Sequence, residues 1–191
     1  MLPLTDCSLC PRLCASRRAV VNGYGPTSAR VMVVAQNPGR EEEVQGRPLV
    51  GWSGKVLRQR LLPLAGINPD DVRYENIVRC RPPKKADGSG DAPPVAAEVA
   101  ACRGFLDAAI AQVKPAIIIT LGQPALSWFL PKARVTACHG RAQAWGEVQV
   151  VPMFHPAAAT PNRRPELLKV MEEDWRRVNG VFCAGDTSGD G

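Results

Sequence analysis

Residues 30–39, Arg-Val-Met-Val-Val-Ala-Gln-Asn-Pro-Gly, carry an apolar run of strand length straight into a polar end that Pro38-Gly39 punctuates. The same strand character recurs at Val72 to Val78, Ala116 to Leu121 and Val148 to Met153. Longer amphipathic stretches lie between. In Gly54 to Leu64, residues Val56, Leu57, Leu61 and Leu64 recur at helical spacing, with arginines on the other side. Val95 to Val113 and Pro165 to Val178 read as further helices, and Pro124 to Leu130 as a short one with proline in its first turn. This alternation predicts an α/β protein with a mainly parallel central sheet. Pro82 to Pro94 reads as a flexible loop. Residues 1–178 then form a single domain, and 179–191, rich in Gly and without Lys or Arg, a disordered tail. Ligands bind such a sheet outside the carboxyl ends of its strands. Gln36-Asn37-Pro38-Gly39, Asn76, Gly122-Gln123 and Phe154-His155-Pro156-Ala157 should therefore converge on one crevice.

The 191-residue chain is 45% hydrophobic and 22% charged, the proportions of a globular protein. At that length roughly 70% of the unfolded surface can be buried, so disulfides are not needed for a core. No apolar run approaches a membrane span. Asp6 and two cysteines precede any apolar run, which argues against a signal peptide and predicts a cytoplasmic protein with no membrane partner. With 24 Lys+Arg against 18 Asp+Glu the formal charge is +6, compatible with a polyanionic partner. The basic residues cluster at Arg17/Arg18, Arg58/Arg60, Arg79/Arg81/Lys84/Lys85 and Arg163/Arg164.

Cysteines stand at positions 7, 10, 14, 80, 102, 138 and 183, an odd number that fits a disulfide framework poorly. Cys7 and Cys10 form a C-x-x-C pair able to ligate one metal centre from a single turn, and Cys80 and Cys102 could complete a four-thiolate site. These residues alone do not separate zinc from an iron–sulfur cluster. Cys80 and Cys102 can also be read as small buried hydrophobes, a reading that suits Cys14, Cys138 and Cys183.

The ordered motifs Cys7-x-x-Cys10-x-x-x-Cys14, Gly23-x-Gly25, Pro38-Gly39, Gly46-Arg47-Pro48-x-Val50-Gly51, Asn76-x-Val78-x-Cys80-Arg81-Pro82-Pro83, Glu98-x-x-x-Cys102, Leu121-Gly122-x-x-Ala125 and His155-Pro156-Ala157 resemble the iron–sulfur uracil-DNA glycosylases of family 4. The resemblance runs from Cys7 to about Ala158. It implies a three-layer α/β/α sandwich of the uracil-DNA glycosylase type, a 4Fe-4S cluster on Cys7, Cys10, Cys80 and Cys102, and hydrolysis of the N-glycosidic bond of a deaminated base in DNA. No lysine occupies the motif segments where a Schiff base would form, so a monofunctional enzyme is expected, and a monomer. A base within a duplex is inaccessible, so it must be flipped into a pocket, with backbone contacts from residues such as Lys84, Lys85, Arg163 and Arg164. Charge develops on the departing uracil, and His155 is the candidate donor to its oxygen. The Asn76 amide can read a pyrimidine edge. Glu42 matches a family position expected to support the site, whereas Glu41 and Glu43 are explained by the dipole of a helix start. His139 reads as a loop histidine.

The chain also departs from that family. Gln36 stands where a glutamate is usual, and Asn37-Pro38 resembles the mismatch-specific uracil and thymine glycosylases, in which the Asn positions the attacking water. An amide is no general base, so Asn37 would orient water. Leu49 replaces an aromatic residue that stacks on the flipped base, and no bulky apolar wedge follows His155. Gln36, Asn37, Pro38, Leu49, Asn76 and His155 are accordingly the expected base-binding residues. Uracil is the expected substrate. Hypoxanthine or xanthine is the alternative, and a catalytically weak iron–sulfur DNA-binding relative a further one.

Overall fold

The computed structural model describes residues 4–160 and 164–180. Five strands, β1 Val31–Ala35, β2 Val72–Asn76, β3 Ile117–Leu121, β4 Gln143–Trp145 and β5 Val148–Met153, form one sheet in the order β2-β1-β3-β5-β4. β2, β1, β3 and β5 are parallel, and β4 folds back antiparallel on β5 as a hairpin. The helices are α1 Pro11–Ser16, α2 Arg40–Gln45, α3 Trp52–Val56, α4 Leu62–Leu64, α5 Ala96–Val113, α6 Gln123–Phe129, α7 Val135–Cys138 and α8 Leu167–Arg177.

Every residue of β1 and β3 is buried, as befits strands covered on both faces. Their alternation divides the core in two. Val31, Val33, Ala35, Ile117, Ile119, Leu121, Val151 and Met153 face one cluster, which the turn between α3 and α4, α4 itself and α8 close with Leu57, Leu61, Leu62, Met171 and Trp175. Met32, Val34, Ile118 and Val150 face the other, closed by α1, α5 and α6 through Leu13, Leu106 and Leu126. The result is a three-layer α/β/α sandwich. Successive strands are added on opposite sides of β1, so the crevice between β1 and β3 is the topological switch point.

Several sequence expectations are refined. The helix expected over 54–64 starts at Trp52, and Leu57–Leu61 takes a π turn that joins α3 to α4. Loop 82–94 closes on itself through a Lys84–Asp91 bridge, with Lys85 N donating to Gly90 O and Ala92 N to Pro83 O. α8 begins at Leu167, not Pro165. α1, α2 and α7 carry too few residues to register a period. Arg163, Cys183 and the expected tail from 181 onward lie outside the described residues. Among the described residues no helix is long and apolar enough to cross a membrane.

Candidate active site

His155 follows β5 and opens a 3-10 turn, Pro156–Ala159. Its Nδ1 accepts a hydrogen bond from Ala157 N at 3.1 Å, so the proton of the neutral ring resides on Nε2. Burial lowers the imidazole pKa to about 4, and the nearby Glu42 opposes the shift without reversing it. Near neutral pH His155 is thus an uncharged donor whose free N–H lies at the carboxyl edge of the sheet. Gly122, at the end of β3, takes a positive φ of 84° and abuts the His155 side chain, where a Cβ would stand 3.4 Å from that of His155. Gly122 N donates to Met153 O at 2.8 Å, which joins the end of β3 to that of β5 beside His155.

In β2 the register pairs Asn76 with Ala35, which places it on the same face as Tyr74 and the α3/α8 core. It is 4% exposed, and none of the hydrogen bonds among the described residues engages its amide. Asn37 donates Nδ2–H to Pro38 O at 2.9 Å, which leaves its Oδ1 as a fixed acceptor. Pro38 is buried below it. Glu42, on α2, accepts from Gly39 N at 3.1 Å, from Val50 N at 3.1 Å and from Gly51 N at 2.9 Å. One carboxylate thereby ties the Pro38-Gly39 loop to the Leu49 loop. Leu49 is buried with a positive φ of 55°, a costly state for a branched side chain. Arg58 Nε donates to its carbonyl at 3.3 Å, and Gly54 packs so closely that a Cβ there would meet the carbonyl oxygen.

Gln36 follows Val34 in alternation onto the opposite face, where it lines a separate cavity with Ile77, Val99 and Trp128. The structure therefore brings Asn37, Pro38, Leu49, Asn76, His155 and Glu42 to one sheet edge and does not group Gln36 with them.

Cys10 caps α1, Cys80 lies in the bend after β2 and Cys102 is on α5; all three are buried, and Cys7 is partly so. Burial raises the Cys80 thiol to about 11 and the Cys102 and Cys10 thiols above their usual range, and each is raised further by its neighbours among these cysteines. Arg17 offsets part of this, donating to Cys14 Sγ at 3.0 Å, to Cys80 Sγ at 3.6 Å and to Cys7 O at 2.6 Å. Cys14, expected to be an inert small hydrophobe, belongs to this group through its own bond to Cys7 O. Among the described residues no three His, Cys, Asp or Glu side chains converge as tightly as ligands of a single ion.

Most of the basic clusters are consumed internally. Arg79 and Arg73 flank the fully buried Glu75, with Arg73 Nη2 at 2.7 Å. Arg81 binds Asp91 at 2.7 Å and Arg58 lies over the Tyr74 ring. Lys84, Lys85 and Arg164 are exposed, Arg164 beside Glu166. Glu43 is not a surface acid of the helix start. It is buried, accepts from Arg18 N at 2.6 Å and faces Arg81. His139 pairs with the buried Asp174 at 2.6 Å and its ring lies tilted against that of Phe154, centroids 4.6 Å apart, which braces the residue preceding His155. Both pairings span distant segments, so no local pattern announces them.

The profile of the uracil DNA glycosylase superfamily matches residues 22–178. A type-4 uracil-DNA glycosylase of Thermotoga maritima is 39% identical over 92% of this chain and 89% of its own length. One from Sulfurisphaera tokodaii is 35% identical over 91% of this chain and 79% of its own. A type-5 uracil-DNA glycosylase of Pyrobaculum aerophilum is 26% identical over 92% and 88%.

Proposed function

The chain belongs to the uracil DNA glycosylase superfamily, and from that premise we propose that it extrudes uracil from DNA and hydrolyses the N-glycosidic bond to leave an abasic site. The observation that carries the reading is the neutral His155, held by the Ala157 N–H in the tautomer that leaves Nε2–H to donate. As the bond from C1′ to the base nitrogen breaks, negative charge collects on the uracil oxygen, and a preorganised donor there stabilises the transition state by about 3 to 4 kcal/mol. The Asn37 acceptor would hold the attacking water, whose oxygen bonds to C1′ as the bond to the base nitrogen breaks, while the proton the water loses ends on the departing uracil anion. Asn76 would read the uracil edge with its unengaged amide, while Glu42 would keep the Asn37 and Leu49 loops in register. Of the basic residues expected to contact DNA, Lys84, Lys85 and Arg164 are exposed and would meet its phosphates.

Cys7, Cys10, Cys80 and Cys102 would hold a 4Fe-4S cluster. Cys10, Cys80 and Cys102 share one buried core cluster with Cys7 packed against it, which supports a common four-thiolate centre. Bound there, it would act as a staple between the N-terminal segment, the end of β2 and α5. The test is a gel assay on uracil-, hypoxanthine- and xanthine-containing oligonucleotides, single-stranded and duplex. Alkali-labile strands from the uracil substrates are expected. Cleavage of the purine substrates alone, or of none, would overturn the reading.

A further inference from the structure

On the sheet face opposite Asn76 and Leu49 a cavity of about 540 Å³ opens between the first half of α5 and α6. Its walls are Ile77, Val99, Ala100, Pro124 and Trp128, with Gln36 at the sheet edge. Asn37, Leu49, Asn76 and His155 are not among the residues that line it, yet Gln36 is the chain neighbour of Asn37. The volume lies in the range of small-ligand sites, about 300–1,000 Å³. Trp128 supplies a flat apolar face, and Arg103 lies over its ring at 4.5 Å and pairs with Asp107 at 3.5 Å at the surface. Gln36 contributes an amide that can both donate and accept, its backbone anchored by Val78 N at 3.0 Å. Arg103 is the cationic side chain in the cavity wall.

We propose that this cavity is a second nucleobase site, which takes the unpaired base of a nucleotide flanking the one being excised and stacks it on the Arg103 guanidinium, itself seated 4.5 Å over the Trp128 ring. The inference rests on the glycosylase reading for its ligand, because a strand that delivers one nucleotide to His155 must pass the edge where Gln36 and Asn37 adjoin. An apolar, aromatic-walled cleft with a cationic side chain in its wall matches a base joined to a phosphate, and stacking of this kind tolerates any base. A strand read in this way is single or locally opened at the flanking position.

The test uses single strands with a hydrolysis-resistant 2′-fluorouridine, in which each flanking nucleotide is replaced in turn by an abasic tetrahydrofuran. Binding is measured for the native protein, for Trp128→Ala and for Ala100→Trp, which fills the cavity from the exposed face of α5 and deletes no core contact. Loss of one flanking base is expected to weaken native binding about tenfold and to have no further effect in either variant. Equal penalties at every position in all three proteins would overturn the second site. If strands containing ordinary uracil are not cleaved while the single-position penalty persists, the catalytic reading fails and the cavity assignment stands.

Discussion

At the residue scale the decisive contact is the 3.1 Å bond from Ala157 N to His155 Nδ1, because it selects the tautomer and with it the direction of donation. His155→Gln is expected to lower turnover by about two to three orders of magnitude with DNA affinity nearly unchanged, as measured by single-turnover kinetics and equilibrium binding. The same residue shapes the pH dependence. Its folded pKa is depressed to about 4 from an ordinary 6.5, so between those values the unfolded chain binds the extra proton. This contribution to stability is complete above about pH 6.5 and is lost as pH falls toward 4. Denaturation of His155→Gln should therefore show a shallower loss of stability over that window than the native protein. Identical slopes would refute the assignment of a buried, neutral imidazole. The motif around His155 is legible in the sequence. The tautomer is not, because it depends on the 3-10 turn that brings Ala157 N back to the ring.

Among the elements, α2 and α3 hold the site together. Glu42 on α2 accepts three backbone N–H groups from two loops, and α3 begins with its Gly54 against the Leu49 carbonyl. A methyl at position 54 would overlap that oxygen, and the positive φ of Leu49 leaves the loop little freedom to yield. Gly54→Ala should accordingly destabilise the fold by about 1 to 3 kcal/mol in chemical denaturation and reduce excision further than its stability loss explains. A stable, fully active variant would show that the Leu49 loop is not under this constraint. The apolar spacing of 56, 57, 61 and 64 is enough to announce a helix there, but not the π turn or its close approach to Leu49. Those follow from packing against a loop that lies outside the helix.

For the whole molecule, the proposed cluster would join thiols from the N-terminal segment, the bend after β2 and α5, and so tie distant parts of the chain. The purified protein should be brown with about four irons per chain, and Cys102→Ser should lose iron and thermal stability before it loses affinity for DNA. Colourless protein with one zinc would refute the cluster. The sequence by itself determined the layering. Uninterrupted apolar runs separated by amphipathic stretches admit a parallel sheet with helices on both faces, and the punctuated strand ends mark the crevice, because both signals are local and periodic. Only the tertiary structure decided which arginines remain free, since Arg17, Arg58, Arg73, Arg79 and Arg81 find partners among thiols, rings and acids brought from elsewhere in the chain. It also carried Gln36 and Asn37, adjacent in sequence, to different surroundings: the pleat turns successive side chains to opposite faces, and what covers each face comes from helices far along the chain.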